Sequence, residues 1–236
     1  MLYYGYIEQE NPSYERAFLM DIKGKKINFL GDSITQGVGV TDSANIYHAR
    51  LAKEFGLTAA RNYGISGTRI ARQQTPTDEI WDQDFISRVD LMDPDADIIV
   101  VFGGTNDFGH GDAPLGVMSD RTPQTFYGAC HVLCEKLISR YPEALIVFMT
   151  PLHRTNEDNP RGDGWKEERG PLKVYISILK EVLEYYSIPT LDLWSVSSIQ
   201  PKVDVVREKY CPDGLHPNDA GHALIASRLA GFLASL

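Results

Sequence analysis

In Asp97-Ile98-Ile99-Val100-Val101-Phe102, the aspartate is followed by an unbroken apolar run of strand length, β-branched at its centre. A strand without polar alternation is covered on both faces, and a parallel sheet with helices on each side is the arrangement that covers it. Four further segments read as strands: Lys25–Leu30, Leu57–Asn62, Ala144–Met149 and Thr190–Trp194. Helical spacing fills the intervals. Tyr47, Leu51 and Phe55 recur one turn apart between an Asp42-Ser43 cap and a stop at Gly56. A helix beginning at Thr122-Pro123 carries Phe126, Cys130, Leu133 and Leu137 on one face, and the next carries Leu172, Ile176, Leu179, Leu183 and Tyr186. A last helix runs from about Asn218 to the C-terminus, with Ile225, Leu229 and Phe232 together. Trp81, Phe85 and Val89 predict one amphipathic helix over residues 72–95, closed by Asp93-Pro94-Asp95. Strands alternating with helices predict an α/β fold, a three-layer α/β/α sandwich with a five-stranded parallel sheet. By analogy with flavodoxin-like sheets the strand order is 2-1-3-4-5. Residues 25–236 are read as a single domain and residues 1–24 as an arm packed on it.

The residues that can do chemistry cluster where strands end. Phe29-Leu30-Gly31-Asp32-Ser33 stops a strand at a glycine and presents a serine at the carboxyl edge of the sheet, where open α/β folds bind their ligands. If Ser33 opens a helical turn, its backbone N–H is free to face an anion; an Asp32 or Ser33 that merely caps the helix is the plainer reading. Gly67 and Asn106 follow the second and third strands, and alone they read as a φ > 0 position and a turn residue. Asp213-Gly214-Leu215-His216-Pro217 spaces a carboxylate three residues before an imidazole. One turn can then set the carboxylate on Nδ1 and leave Nε2 facing a serine hydroxyl, as a nucleophilic triad requires. The plainer reading is a turn leading into a helix capped by Asn218. Four bland coincidences at strand ends are less economical than one shared site.

Gly31-Asp32-Ser33, Gly67 within Asn62-Tyr63-Gly64-Ile65-Ser66-Gly67, Gly104-Thr105-Asn106-Asp107 and Asp213-Gly214-Leu215-His216-Pro217 together resemble the four sequence blocks of the SGNH, or GDSL-type, hydrolases. They stand in the family's order, from about Lys25 to the C-terminus. The resemblance implies a metal-free esterase without a cofactor. It implies Ser33 as nucleophile, His216 as general base and Asp213 as its orienting partner. It also implies an oxyanion hole built from the Ser33 and Gly67 backbone N–H groups and the Asn106 side-chain amide. The α/β-hydrolase elbow is a different motif and wants glycine where Thr35 stands. Gln36 and Arg69 depart from the family pattern, at positions where many members carry an acidic residue. Both departures weaken any assignment of substrate by analogy.

A formal net charge of −9 disfavours nucleic acid and anionic membrane surfaces as partners. The N-terminus shows no positively charged leader and no long apolar stretch, so the expectation is a cytoplasmic protein without membrane insertion. Cys130, Cys134 and Cys211 have no zinc-type pairing and read as core residues in a reducing compartment. His48, His110, His131 and His153 lack partners at metal-ligand spacing, so no metal is assigned. His222 reads as a packed helix residue that can also support the site. The loops 108–121 and 151–170 are longer than simple connections. Their Phe108, Leu115, Val117, Met118 and Trp165 can shape a pocket for a sugar or a short acyl chain, or merely anchor the loops. The expected substrate is a small soluble ester of acetyl type, of a carbohydrate or similar alcohol. Lysophospholipase or thioesterase activity is the alternative among enzymes. A non-catalytic binding module, or a nucleotide or phosphate binder, is the alternative outside them; the oligomeric state is not legible.

Overall fold

The computed structural model describes residues 20–77, 80–164 and 167–236. Most of the arm expected over residues 1–24 lies outside the described residues. Along the chain come β1 (Lys26–Gly31), α1 (Ser33–Gln36), α2 (Tyr47–Phe55), β2 (Ala59–Gly64) and α3 (Phe85–Arg88). Then follow β3 (Ile98–Phe102), α4 (Thr105–His110), α5 (Phe126–Arg140), β4 (Leu145–Met149) and α6 (Leu172–Tyr185). The chain finishes with β5 (Thr190–Leu191), α7 (Leu193–Val196), α8 (Asp204–Tyr210) and α9 (Asp219–Ala234). The sheet has five strands in the order β2-β1-β3-β4-β5, every pairing parallel. This is the three-layer α/β/α sandwich in the order expected.

The two faces of the sheet follow the period-two alternation of its strands. Phe29, Val100 and Val147 point to one side and meet Tyr47 and Leu51 of α2 and Ile225 and Leu229 of α9. Leu30, Val101 and Phe148 point to the other and meet Phe85 of α3, Leu133 and Leu137 of α5 and Ile176 and Leu179 of α6. Strand β3 is buried along its whole length, as its unbroken apolar run requires. Each such side chain contributes about 1.5–3 kcal/mol by leaving water. All three cysteines are free and buried. Burial pushes the thiols of Cys134 and Cys211 up to about 12, leaving them inert packing groups.

Some segments differ from their sequence expectation: Asp42 caps a separate 3-10 turn, Ser43–Asn45, and α2 begins at Tyr47 with no side-chain cap. The helix expected over residues 72–95 is confined to Phe85–Arg88 and a following 3-10 turn, Val89–Leu91. Upstream, the backbone donors are taken by side chains: Gln74 and Thr75 N–H groups donate to Asp112 at 2.6 Å each, and Thr77 N–H donates to Asp82 at 2.8 Å. Carboxylates that capture backbone donors compete with the helix, and Pro76 has none to offer. The last strand stops at Leu191 because Asp192 turns the chain, its carboxylate accepting from Thr150 Oγ1, Lys180 Nζ and Ser195 Oγ. The helix expected from Thr122-Pro123 starts at Phe126, where Thr125 Oγ1 caps it by accepting from Gly128 N–H. Among the described residues no helix is long and apolar enough to cross a membrane.

The order β2-β1-β3 reverses direction between β1 and β3, so the crevice beyond the carboxyl ends of these strands is the natural ligand position. The segments after β1, β2 and β3 all open there.

Candidate active site

Strand β1 turns abruptly into α1. Gly31 is required at the turn, because a Cβ there would stand 2.0 Å from Thr35 Oγ1. Asp32 caps the helix by accepting from Ile34 N–H at 3.0 Å. Ser33 is thus the first residue of a short helix, and its backbone N–H has no intrahelical acceptor. From the other end of the chain, the turn before α9 brings His216 Nε2 to 3.0 Å from Ser33 Oγ. His216 Nδ1 lies 2.7 Å from Asp213 Oδ2, while the Leu215 and His216 backbone N–H groups donate to Asp213 Oδ1 at 2.8 and 2.6 Å. Burial raises the Asp213 pKa, but those two N–H donors and the imidazole outweigh it and hold the carboxyl below the ordinary aspartate value. An ionised carboxylate only accepts, so Nδ1 carries the ring proton and the Nε2 lone pair faces the serine hydroxyl.

Gly67 sits in the turn after β2 at φ +76°, a left-handed conformation that glycine adopts without strain. A Cβ at Gly67 would meet the Trp81 indole at 3.2 Å. Gln36 of α1 reaches across to this turn, its Oε1 accepting from both Ser66 N–H and Ser66 Oγ at 2.6 Å. Arg88 ties the same two segments from beneath, donating to Gly31 O at 3.1 Å and Thr68 Oγ1 at 2.8 Å. Asn106 stands in the first turn of α4, with Nδ2 donating to Thr68 O at 3.1 Å and Oδ1 3.2 Å from His110 Nε2. Its neighbour Asp107 accepts from Ile70 and Ala71 N–H at 3.0 and 2.8 Å, fixing the chain after the Gly67 turn against α4.

Ser33, Gly67, Asn106 and His216 line one cleft of about 240 Å³, with Val38, Ser66, His110, Asp163 and Leu215 completing its wall. Asp213 stands behind His216. Beneath the cleft, burial pushes Asp32 up to about 7 and Asp107 up to about 6, backbone N–H bonds offsetting part of each rise. Arg88 also favours the ionised form of Asp32, and its own pKa is lowered by burial to about 10.

The loop residues expected to shape the pocket do not line this cleft. Phe108 is buried against Tyr175, with Arg154 over its ring. Leu115 lines a separate groove with Tyr127 and Lys173, Val117 is exposed, and Met118 packs against the core. Trp165 lies outside the described residues. His222 is buried, accepting from Tyr47 N–H at Nδ1 and stacked on the Tyr47 ring, so it joins α9 to α2. Burial, helped by His48, lowers its pKa to about 4. His153, read as lacking a carboxylate or cysteine partner at metal-ligand spacing, lies 2.9 Å from Glu157, one helical turn on in sequence. Among the described residues no group of three or more histidine, cysteine or carboxylate side chains is disposed to hold a metal. The residues that the sequence reading missed are those acting across the chain: Arg88, His110 and Asp163. Gln36 and Arg69 stood out only as departures from a pattern. Of their contacts only that of His110 with Asn106, one turn apart on α4, has a local spacing that could have announced it.

This fold has known counterparts. A sequence profile of the GDSL-like lipase/acylhydrolase family matches residues 29–224. The chain is 25% identical over 229 residues to a GDSL lipase of Mycobacterium tuberculosis (strain ATCC 25618 / H37Rv), covering 93% of this chain and 86% of that protein. A crystal structure of a protein from Lactobacillus plantarum is similar at a TM-score of 0.78 and 31% identity, covering 91% of this chain and 98% of that one. A two-domain esterase active on acetylated mannans shares the fold at a TM-score of 0.58 and 22% identity, over 89% of this chain and 48% of its own.

Proposed function

Because the chain belongs to the GDSL-like lipase/acylhydrolase family, we propose that it is a serine esterase cleaving short-chain, acetyl-type esters of a sugar or another small polar alcohol. One observation carries the reading. Ser33 Oγ, His216 and Asp213 form a continuous hydrogen-bonded chain that opens into the same small cleft as Gly67 and Asn106. Ser33 Oγ attacks the ester carbonyl carbon while Nε2 of His216 takes the hydroxyl proton. The carbonyl oxygen becomes an anion held by the Ser33 and Gly67 backbone N–H groups and by Asn106 Nδ2. His216 then gives its proton to the departing alcohol, leaving an acyl-serine. Water repeats the sequence, delivering its proton to His216 and releasing the acid and free Ser33. Asp213 stays ionised throughout and stabilises the imidazolium that forms twice per cycle.

The size of the cleft, about 240 Å³, favours a short acyl group. Its wall sets hydroxyl, amide, imidazole and carboxylate groups beside Val38 and Leu215, a mixture that fits a small hydroxylated alcohol. Nitrophenyl acetate, butyrate, octanoate and palmitate, followed by acetylated mannose and xylose oligomers, test this directly. The expected order of kcat/KM falls steeply beyond butyrate, and Ser33→Ala is inactive on all of them. A maximum at octanoate or longer favours a lysophospholipase-type acylhydrolase. Undiminished turnover by the alanine variant refutes the serine mechanism.

A further inference from the structure

We propose that Arg69 and His110 are positioning residues that orient and polarise the Asn106 amide, so that one of its N–H bonds is aimed into the cleft where the carbonyl oxygen becomes charged. This rests on the esterase reading above and assigns a task to two side chains outside its triad. The argument begins at Arg69, which is 3% exposed although charged. Its Nη2 donates to Asp82 Oδ1 and to Trp81 O at 2.9 Å each, and its Nη1 lies 2.9 Å from His110 Nδ1. A guanidinium has five donors and no acceptor. His110 Nδ1 is therefore the acceptor of that bond, and the ring proton sits on Nε2.

The consequence passes along the chain. Nε2–H donates to its partner 3.2 Å away, and that partner must be the oxygen of Asn106, not its nitrogen. The amide nitrogen is then at the other end, where one N–H donates to Thr68 O at 3.1 Å. Its second N–H remains for the cleft that Asn106 lines beside Ser33 and Gly67. A flipped amide would set its nitrogen against the His110 donor and its oxygen against the Thr68 carbonyl, two repulsive contacts at once. Orientation is thus held at both ends. The charge at the head of the relay adds a second effect: hydrogen bonds in series polarise one another. A cationic donor on Nδ1 makes Nε2–H, and through it the Asn106 N–H, a stronger donor.

The relay requires neutral His110, since a protonated ring would oppose N–H to the guanidinium. Arg69 and Arg154 favour the neutral form and Asp163 opposes them; burial is the largest influence, and the His110 pKa is lowered on balance.

Two measurements test the proposal. The first uses the unmodified protein: long-range proton–nitrogen correlation of ¹⁵N-labelled imidazoles, with His110 assigned by loss of its signals in His110→Leu or, if that variant does not fold, in His110→Gln. The expected result between pH 6 and 8 is the Nε2–H tautomer; the Nδ1–H tautomer or an imidazolium overturns the proposal. The second is a mutant cycle read on a short nitrophenyl ester. His110→Leu is expected to lower kcat about tenfold with KM little changed, a smaller loss than deleting the Asn106 donor. His110→Gln, whose amide can accept from Arg69 and donate to Asn106, recovers most of that loss. In an Asn106→Ala background His110→Leu costs nothing more. Full kcat in His110→Leu, or additive losses in the double variant, sink the relay while leaving the esterase intact. Failure of a fluorophosphonate to label Ser33 in the wild type sinks the esterase reading instead, and the tautomer measurement does not depend on it.

Discussion

In the proposed mechanism the Asn106 side chain meets the substrate oxygen most strongly when that oxygen is charged, so Asn106→Ala should lower kcat by about 10²–10³ while KM changes little. Steady-state kinetics on nitrophenyl acetate measure this; a variant that raises KM alone would show that Asn106 binds the ground state instead. Gly67 is constrained twice, by its φ of +76° and by the Trp81 ring 3.2 Å from where a Cβ would be. Gly67→Ala is expected to cost roughly 1–2 kcal/mol of stability in urea unfolding, because the native backbone is strained for alanine. It should lower kcat as well, by displacing the neighbouring N–H. At this scale the blocks that hold Ser33, Asp213 and His216 were legible in the sequence, but local spacing sets only the Asp213–His216 contact, while His216 and Ser33 meet across most of the chain. Arg88 was not, because its partners Gly31 and Thr68 are distant in the chain. His110 shares α4 with Asn106, but its other partner, Arg69, is far away in sequence. Gln36 and Arg69 stood out only as departures from a pattern.

The elements around the site are joined by polar clamps, one buried and one at the surface. Asp107 of α4 holds the segment after the Gly67 turn by accepting two backbone N–H bonds, and Gln36 of α1 holds the turn itself. Asp107→Asn keeps the size but turns one acceptor into a donor facing an N–H. The expected cost is about 1–3 kcal/mol, read as a lower urea midpoint, because a buried donor is left without a partner. A midpoint equal to that of the wild type would show that the segment is held by other means. The strands and long helices could be read from apolar periodicity because burial on one or two faces dictates it. The segment 72–84 could not: Trp81, Phe85 and Val89 have helical spacing, but Asp112 and Asp82 take the backbone donors that a helix would need. Trp81 itself remains half exposed beside Gly67.

Over the whole molecule, buried titratable groups oppose one another. Burial pushes Asp32 up to about 7, and lowers His48 and His222 to about 4. Between pH 4.5 and 6.5 the folded state holds a proton on Asp32 that the unfolded chain releases, so this group makes stability fall as pH rises. The histidines act the other way, since the unfolded chain binds protons there that the folded state does not. Asp32→Asn keeps the helix cap and removes only the first contribution. Urea unfolding at the two pH values should show the variant gaining more stability with rising pH than the wild type, by roughly 2 kcal/mol. Equal slopes would mean that Asp32 is ionised throughout. The sheet order and its switch point explain how residues at opposite ends of the sequence come to face one cleft. The central claim is that Ser33 is a nucleophile activated by His216. Peptide mapping by mass spectrometry after reaction with a fluorophosphonate tests it most directly. The expected result is one adduct per chain, on Ser33, formed far more slowly in folded His216→Asn. An active, folded wild type that remains unlabelled at Ser33, or labelling unaffected by loss of the imidazole, would contradict it.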